Sequence, residues 1–200
     1  TAPLSPSSCM RSRLEAGALE GGAQLEWNSP TSYAQLFVGK WWRTNPQFQG
    51  RTVGNKMFFV RGGGTGSVGT YNGVFLFNST SLVNGTGTLR WSFNTGNLNN
   101  QHITGSADPG VPLLSNEGDP TLRVGIWTKI EAYFRKSTSN TSQDGIIRAW
   151  INGTRVMNYT NVNYGAAGFN NWTWSETWDG TPGFTFATVP WEHYLDHLYI

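Results

Sequence analysis

The chain has 200 residues, a formal net charge of +2 and 13% charged side chains, against roughly 25% in an average globular protein. That charge is too small for a nucleic-acid surface, and its Arg and Lys are scattered, with no run longer than Arg135-Lys136. No apolar stretch reaches the ~20 residues of a membrane-spanning helix, and the lone Cys9 excludes an internal disulfide.

The length suits one large β domain. Residues 1–30 read as an irregular segment or a first strand; TAPLSPSS, opening without Met, looks like a linker or processed end, with a leader or preceding domain removed. Residues 31–42 alternate as a strand, 44–54 form a loop marked by Pro46, Gly50 and Gly54, and NKMFFV (55–60) is a strand. Short strands follow at 74–78, 89–94 and 121–125, with loops at 61–69, 94–101 and 107–120. Then come strands at 127–135, 146–151 and 154–159, an aromatic loop at 163–183, and closing strands at 184–189 and 194–200. Asn152-Gly153 between two of these strands predicts a type I′ hairpin turn, which needs positive φ at both central residues. Many short strands with Gly- and Pro-bearing turns predict an all-β fold, a two-sheet antiparallel sandwich or jelly roll over 31–200.

Alternation assigns faces. Thr128, Ile130, Ala132 and Phe134 share one side of their strand, opposite Trp127, Lys129, Glu131, Tyr133 and Arg135. Ile147, Ala149 and Ile151 oppose Arg148, Trp150 and Asn152; Leu89, Trp91 and Phe93 oppose Arg90, Ser92 and Asn94. The apolar sets are expected to form the core. The mixed polar and aromatic sets suit either a sugar-binding face or an ordinary solvated sheet face. Six Asn-x-Ser/Thr sequons occur, at Asn78, Asn84, Asn140, Asn152, Asn158 and Asn171, and read as a consequence of abundant Asn, Ser and Thr rather than as glycan sites.

GIWTKIEAYFR, then DGIIRAWINGTRV, then the terminal YLDHLYI resemble the concanavalin A-like lectin/glucanase superfamily, especially its laminin-G-like and polysaccharide-lyase-like jelly rolls. The resemblance spans most of 31–200 and implies two antiparallel sheets, a concave one often forming a glycan groove. Its motifs are architectural and do not choose among glycosidases, lyases, lectins and virion or adhesin modules.

The candidate chemistry must come from residues. Glu176 with Asp179, and Glu192 with Asp196, fail the paired-carboxylate spacing of glucanases, so retaining hydrolysis is not expected. A lyase needs a base and cationic or amide groups to neutralise a uronate. His102, Tyr71, Tyr133, Arg90, Lys56 and Lys129 have suitable chemistry, although His102 in QHITG reads better as a loop histidine. His193 and His197 fall on one strand face, too far apart for zinc. No cofactor is expected, apart from a structural Ca²⁺ that the resemblance would put at Asp196 with Glu15. In the loop 168–183, Trp172, Trp174 and Trp178, with Asn170, Asn171 and Glu176, form either an aromatic platform or a cover for the core; Trp174 is expected to cover and Trp178 to recognise. The expected ligand-binding set is Lys56, Arg90, Asn94, Tyr133, Arg148, Trp150 and Trp178, with no catalytic residue assigned.

The leading expectation is a non-catalytic glycan-binding or surface-display module, located outside the cell or at a cell or virion surface. Its partners would be a polysaccharide or surface glycan and other virion or cell-surface proteins, without nucleic acid or membrane insertion. The first alternative is a polysaccharide lyase acting by β-elimination on an anionic glycan. The second is a structural or decoration component of a phage particle or adhesin.

Overall fold

The structure is a computed structural model that describes residues 8–17, 24–48, 55–62, 71–79, 88–94, 112–113, 116–119, 121–162, 166–175 and 189–200. Its strands are β1 (Met10–Leu14), β2 (Gln24–Tyr33), β3 (Gln35–Thr44), β4 (Asn55–Arg61), β5 (Tyr71–Ser79), β6 (Thr88–Asn94) and β7 (Pro112–Leu113). They continue as β8 (Thr121–Arg123), β9 (Thr128–Arg135), β10 (Gly145–Ile151), β11 (Thr154–Val162), β12 (Phe169–Ser175) and β13 (Trp191–Tyr199). One sheet has six strands in the order β1-β13-β3-β9-β10-β11; the other has seven, β2-β12-β4-β5-β6-β7, with β8 also on β6. Among the described residues all pairing is antiparallel and no helix occurs, as the sequence predicts.

The hairpin β10–β11 shows how local chemistry sets this frame. Asn152 and Gly153 take φ of 50° and 82°, the positive values a type I′ turn requires. Asn152 also exchanges hydrogen bonds with β9: its N–H donates to Lys129 O, and its Oδ1 accepts from Lys129 N–H, both at 2.9 Å. The turn is thereby tied to the neighbouring strand as well as to its own hairpin. In register across β9 and β10, Ile130 meets Ile151, Ala132 meets Ala149 and Phe134 meets Ile147, all buried.

The two sheets stack face to face. Phe134 on β9 packs 5.9 Å from Phe169 on β12. Lys40, on the inner side of β3 and 1% exposed, sets its ammonium 5.5 Å from the rings of both Phe58 and Trp174 on the opposing sheet. A cation inside an apolar layer gains from the ring quadrupoles it faces. Trp42, Trp172, Trp174 and Trp191 are all inside the core, so much of the aromatic content is structural.

Several expectations change. Of the two readings of residues 1–30, the strand one holds for 10–14 and 24–30, and there are two strands rather than one: β1 pairs with β13, and β2 with β12. The sequence LEWN (25–28) alternates apolar with polar and could have signalled this. Part of the expected aromatic loop is β12, between β2 and β4. Trp172 and Trp174 fill the core; Trp178, Glu176 and Asp179 lie outside the described residues, as do His102 and 184–188. A register shift between Phe169 and Asn171 lets Phe169 join the Trp pair in the core despite its odd spacing.

The histidine pair does not share a face. His197 has φ of 48° at a register shift between Asp196 and Tyr199, which breaks the alternation. His193 is buried against Trp42, Phe48 and Trp191, whereas His197 is exposed. The Glu15–Asp196 calcium pair also fails on register. Leu14 pairs with Trp191 and Met10 with Leu195, so the two carboxylates stand at opposite ends of the β1–β13 ladder. Six residues of strand separate them by on the order of 20 Å, and Glu15 instead pairs with Arg13 at 2.8 Å. Among the described residues no other cluster of acids, His or Cys is arranged to hold a metal ion.

Candidate functional site

The site grows from the position of β12. Because Trp172 and Trp174 point into the core, the residues alternating with them, Asn171 and Thr173, point to the outer face of the seven-stranded sheet. Register then builds two rows across that face. Asn28, Asn171, Arg61 and Tyr71 are successive partners along one; Glu26, Thr173, Phe59, Val74 and Asn94 follow one another along the other.

Short polar side chains knit the rows together. Asn171 Nδ2 donates to Asn28 Oδ1 at 2.6 Å and to Glu26 Oε1 at 2.5 Å, using both its protons. Its Oδ1 accepts from the Thr173 hydroxyl at 3.0 Å. Arg61 Nη1 donates to Thr173 Oγ1 at 3.3 Å and stands 4.0 Å from Glu26 Oε1. The guanidinium lies 4.8 Å over the Phe59 ring, which forms the floor beneath it. Asn171 and Thr173 are 8% and 2% exposed although they face away from the core, so this part of the face is recessed. Above that floor the Arg61 side chain stays about a third exposed. Among the described residues the Asn28 amide nitrogen has no partner, which leaves a donor open beside the cation. The arrangement can receive an anionic group: a fixed guanidinium and an open amide donor, on a surface lined by one ring.

The residues expected to bind ligand divide between the two sheets. Lys56, Arg90 and Asn94 are on β4 and β6 of the seven-stranded sheet, where Asn94 falls in the Glu26–Thr173–Phe59 row. Lys56 pairs with Leu76, and Arg90 with Asn78. Tyr133, Arg148 and Trp150 are on β9 and β10, opposite the buried Ala132, Ile147 and Ala149, and so on the outer face of the six-stranded sheet. One ligand does not touch both groups. Sequence reading passed over Arg61, Asn28, Glu26 and Thr173, and placed Asn171 in a loop. The alternation of Asn171 and Thr173 with Trp172 and Trp174 was the available signal.

On the outer face of the six-stranded sheet, two local clusters are tied by their own contacts. Lys129 Nζ lies 2.8 Å from Glu131 Oε1, which also accepts from the Tyr199 hydroxyl. Burial raises the Glu131 carboxyl, but the Lys129 and Tyr199 bonds and the Lys129 charge outweigh it and hold the group below its ordinary value. The Glu131 hydrogen bond correspondingly raises Lys129. Nearby, Arg43 is clasped between Trp127 and Tyr194, at 5.2 and 4.4 Å.

No family model and no curated relative matches the chain. Solved structures do. Alginate lyase Aly36B in complex with alginate trisaccharide is 19% identical, with a TM-score of 0.64 over 95% of this chain and 80% of that one. Alginate lyase vAL-1 from Chlorella virus is 14% identical, with a TM-score of 0.64 over 95% and 83%. An endo-β-1,4-glucuronan lyase from the fungus Trichoderma reesei is 13% identical, with a TM-score of 0.61 over 95% and 78%. The chain is thus similar in fold to these polysaccharide lyases, as a two-sheet antiparallel sandwich. These neighbours correct the leading expectation of a non-catalytic binding module, because the frame they share with this chain is one used by lyases.

Proposed function

We propose that the protein is a polysaccharide lyase cleaving a 1,4-linked polyuronate by β-elimination, with its site on the outer face of the seven-stranded sheet. The observation that carries this reading is Arg61 seated in a recessed amide and hydroxyl network, on a fold shared with alginate and glucuronan lyases.

The chemistry needs three things. A uronate carboxylate must be neutralised, so that the C5 proton beside it becomes acidic; a base must take that proton; and the O4 leaving group must be protonated as the C4–C5 double bond forms. Arg61 is assigned to the carboxylate, assisted by the open Asn28 amide. Asn171 and Thr173 are positioning residues, because their hydrogen bonds are spent within the network. Tyr71, the register partner of Arg61, is assigned the proton transfer. These are side-chain roles, and no cofactor is invoked. A polymeric substrate favours a working location outside the cell or at a cell or virion surface.

The test is a panel of alginate, polyglucuronate and neutral glucans, followed by the ultraviolet absorbance of the unsaturated uronic end. Absorbance should rise with a polyuronate and not with neutral glucans. Tyr71→Phe should lower kcat with little change in KM. A panel in which no polyuronate yields unsaturated ends sinks the proposal.

A further inference from the structure

We propose that the outer face of the six-stranded sheet is a second binding surface, for an extended anionic polysaccharide, on the side of the sandwich opposite the Arg61 site. It rests on the preceding reading only for the ligand class.

Three rings form a strip across strands far apart in sequence. Trp150 on β10 lies 6.1 Å from Phe37 on β3, and Phe37 stacks at 5.9 Å and 18° on Tyr199 of β13. Phe37 is 40% and Tyr199 38% exposed, high values for large apolar side chains in the middle of a sheet. The strip is held from below and from the side. Gly39 leaves room for the Tyr199 ring, since a Cβ there would lie 2.1 Å from Tyr199 Cζ, and Glu131 holds the Tyr199 hydroxyl. A pre-set row of rings offers flat apolar area at low entropic cost.

The groups around the strip decide the occupant. Arg148 shares a register row with Phe37 and Tyr133, and its Nε is held by Asn158 Oδ1 at 3.0 Å. Two carboxylates lie close by and each has its own cation: Glu117, which feels the Arg148 charge, pairs with Arg155, and Glu131 pairs with Lys129, so Arg148 adds a positive charge beyond those pairs. The Trp150 indole N–H has no partner among the described residues. The cation and the indole donor therefore border the rings. Pyranose C–H faces pack on such rings while hydroxyls and a carboxylate reach the donors. A second copy of the chain or an acidic protein would need shape complementarity across the flat strip. A linear polyuronate needs only ring faces and a spaced cation. The polymer fits what is there.

The experiment is affinity electrophoresis of the Arg61→Ala chain through gels containing alginate, polyglucuronate or a neutral glucan. Retardation is expected in an anionic gel only. Adding Phe37→Ala with Trp150→Ala should weaken it at least tenfold. Arg148→Gln, at a partly exposed position, should weaken it several-fold and flatten its salt dependence, which covers the case in which the double variant fails to fold. With Arg61 intact, Trp150→Ala should cleave short oligosaccharides as before while its KM for long polymer rises. Equal retardation of all variants, or equal retardation by the neutral glucan, overturns the proposal. So does a dimer that the double substitution dissociates while polymer is never retained. Retention without cleavage by the unsubstituted chain would sink the lyase reading alone; cleavage with retention untouched by the substitutions would sink this one alone.

Discussion

The two outer faces of the sandwich are built from the same kind of alternating strand and have opposite relief. On the seven-stranded sheet the outward residues of β12 are Asn171 and Thr173, short side chains that bond to one another and lie low, with Arg61 above the Phe59 ring. On the six-stranded sheet the outward residues are long: Phe37 packs on Trp150 and Tyr199, while Tyr133 donates to Gln35 and Arg148 to Asn158. Short polar residues between buried tryptophans leave a recess; long aromatic ones leave a ridge. A recess can surround a reacting group and shed water from it, whereas a ridge offers a track along which a polymer can lie.

Substitutions can break or sharpen that contrast. The largest expected effect falls on the support of the recess. Trp172→Ala empties a fully buried site beneath Asn171 and should cost about 3–5 kcal/mol, read as a lower denaturant midpoint; a change below about 1 kcal/mol would mean that the core closes up without it. Next comes the recess itself. Arg61→Ala should lower kcat/KM on polyuronate by about 10²–10³-fold, in the range of lost charge-stabilising donors, with the unfolding midpoint hardly moved. Arg61→Lys should fall between, since a point charge replaces a planar fork. If Arg61→Ala also unfolds the protein, Arg61 is structural and the contrast between faces weakens.

On the ridge, Gly39→Ala should eject the Tyr199 ring from its seat. The expected loss is about 1–3 kcal/mol, as for overpacking, seen as a lowered melting midpoint and weaker polymer retention with cleavage of short substrate unchanged. The smallest effect is electrostatic. The Glu131 carboxyl is held low in the folded state, so its contribution is present above its ordinary value of 4.5 and is lost as pH falls through the lower folded value. Lys129 is held high, so its share is present below 10.5 and is lost as pH rises through the higher folded value. Glu131→Gln should therefore flatten the acid limb of a stability–pH profile and change stability at neutral pH by less than about 1 kcal/mol. An unchanged acid limb would show that the ion pair contributes nothing.

Much of the frame was legible because it is local. The Asn152-Gly153 turn needs only two residues that tolerate positive φ. The inward faces of β9 and β10 follow from period-two patterning, and Ile130, Ala132, Phe134, Ile147, Ala149 and Ile151 are buried as that pattern requires. Alternation likewise put Tyr133, Arg148 and Trp150 on an outer face. It could not say that this face belongs to a different sheet from Lys56, Arg90 and Asn94. Strand membership in a sandwich is not written in any single strand.

The amino-acid order on its own thus determined the hairpin, the strand period and an all-β sandwich, because each follows from neighbours within a few residues. Folding alone decided which strands lie side by side. Asn171 meets Glu26 across 145 positions and Arg61 meets Thr173 across 112, joined only when β12 enters between β2 and β4. That insertion is driven by burying Trp172 and Trp174 against Phe58 and Val60. Such burial rewards a long-range pairing that no local propensity specifies.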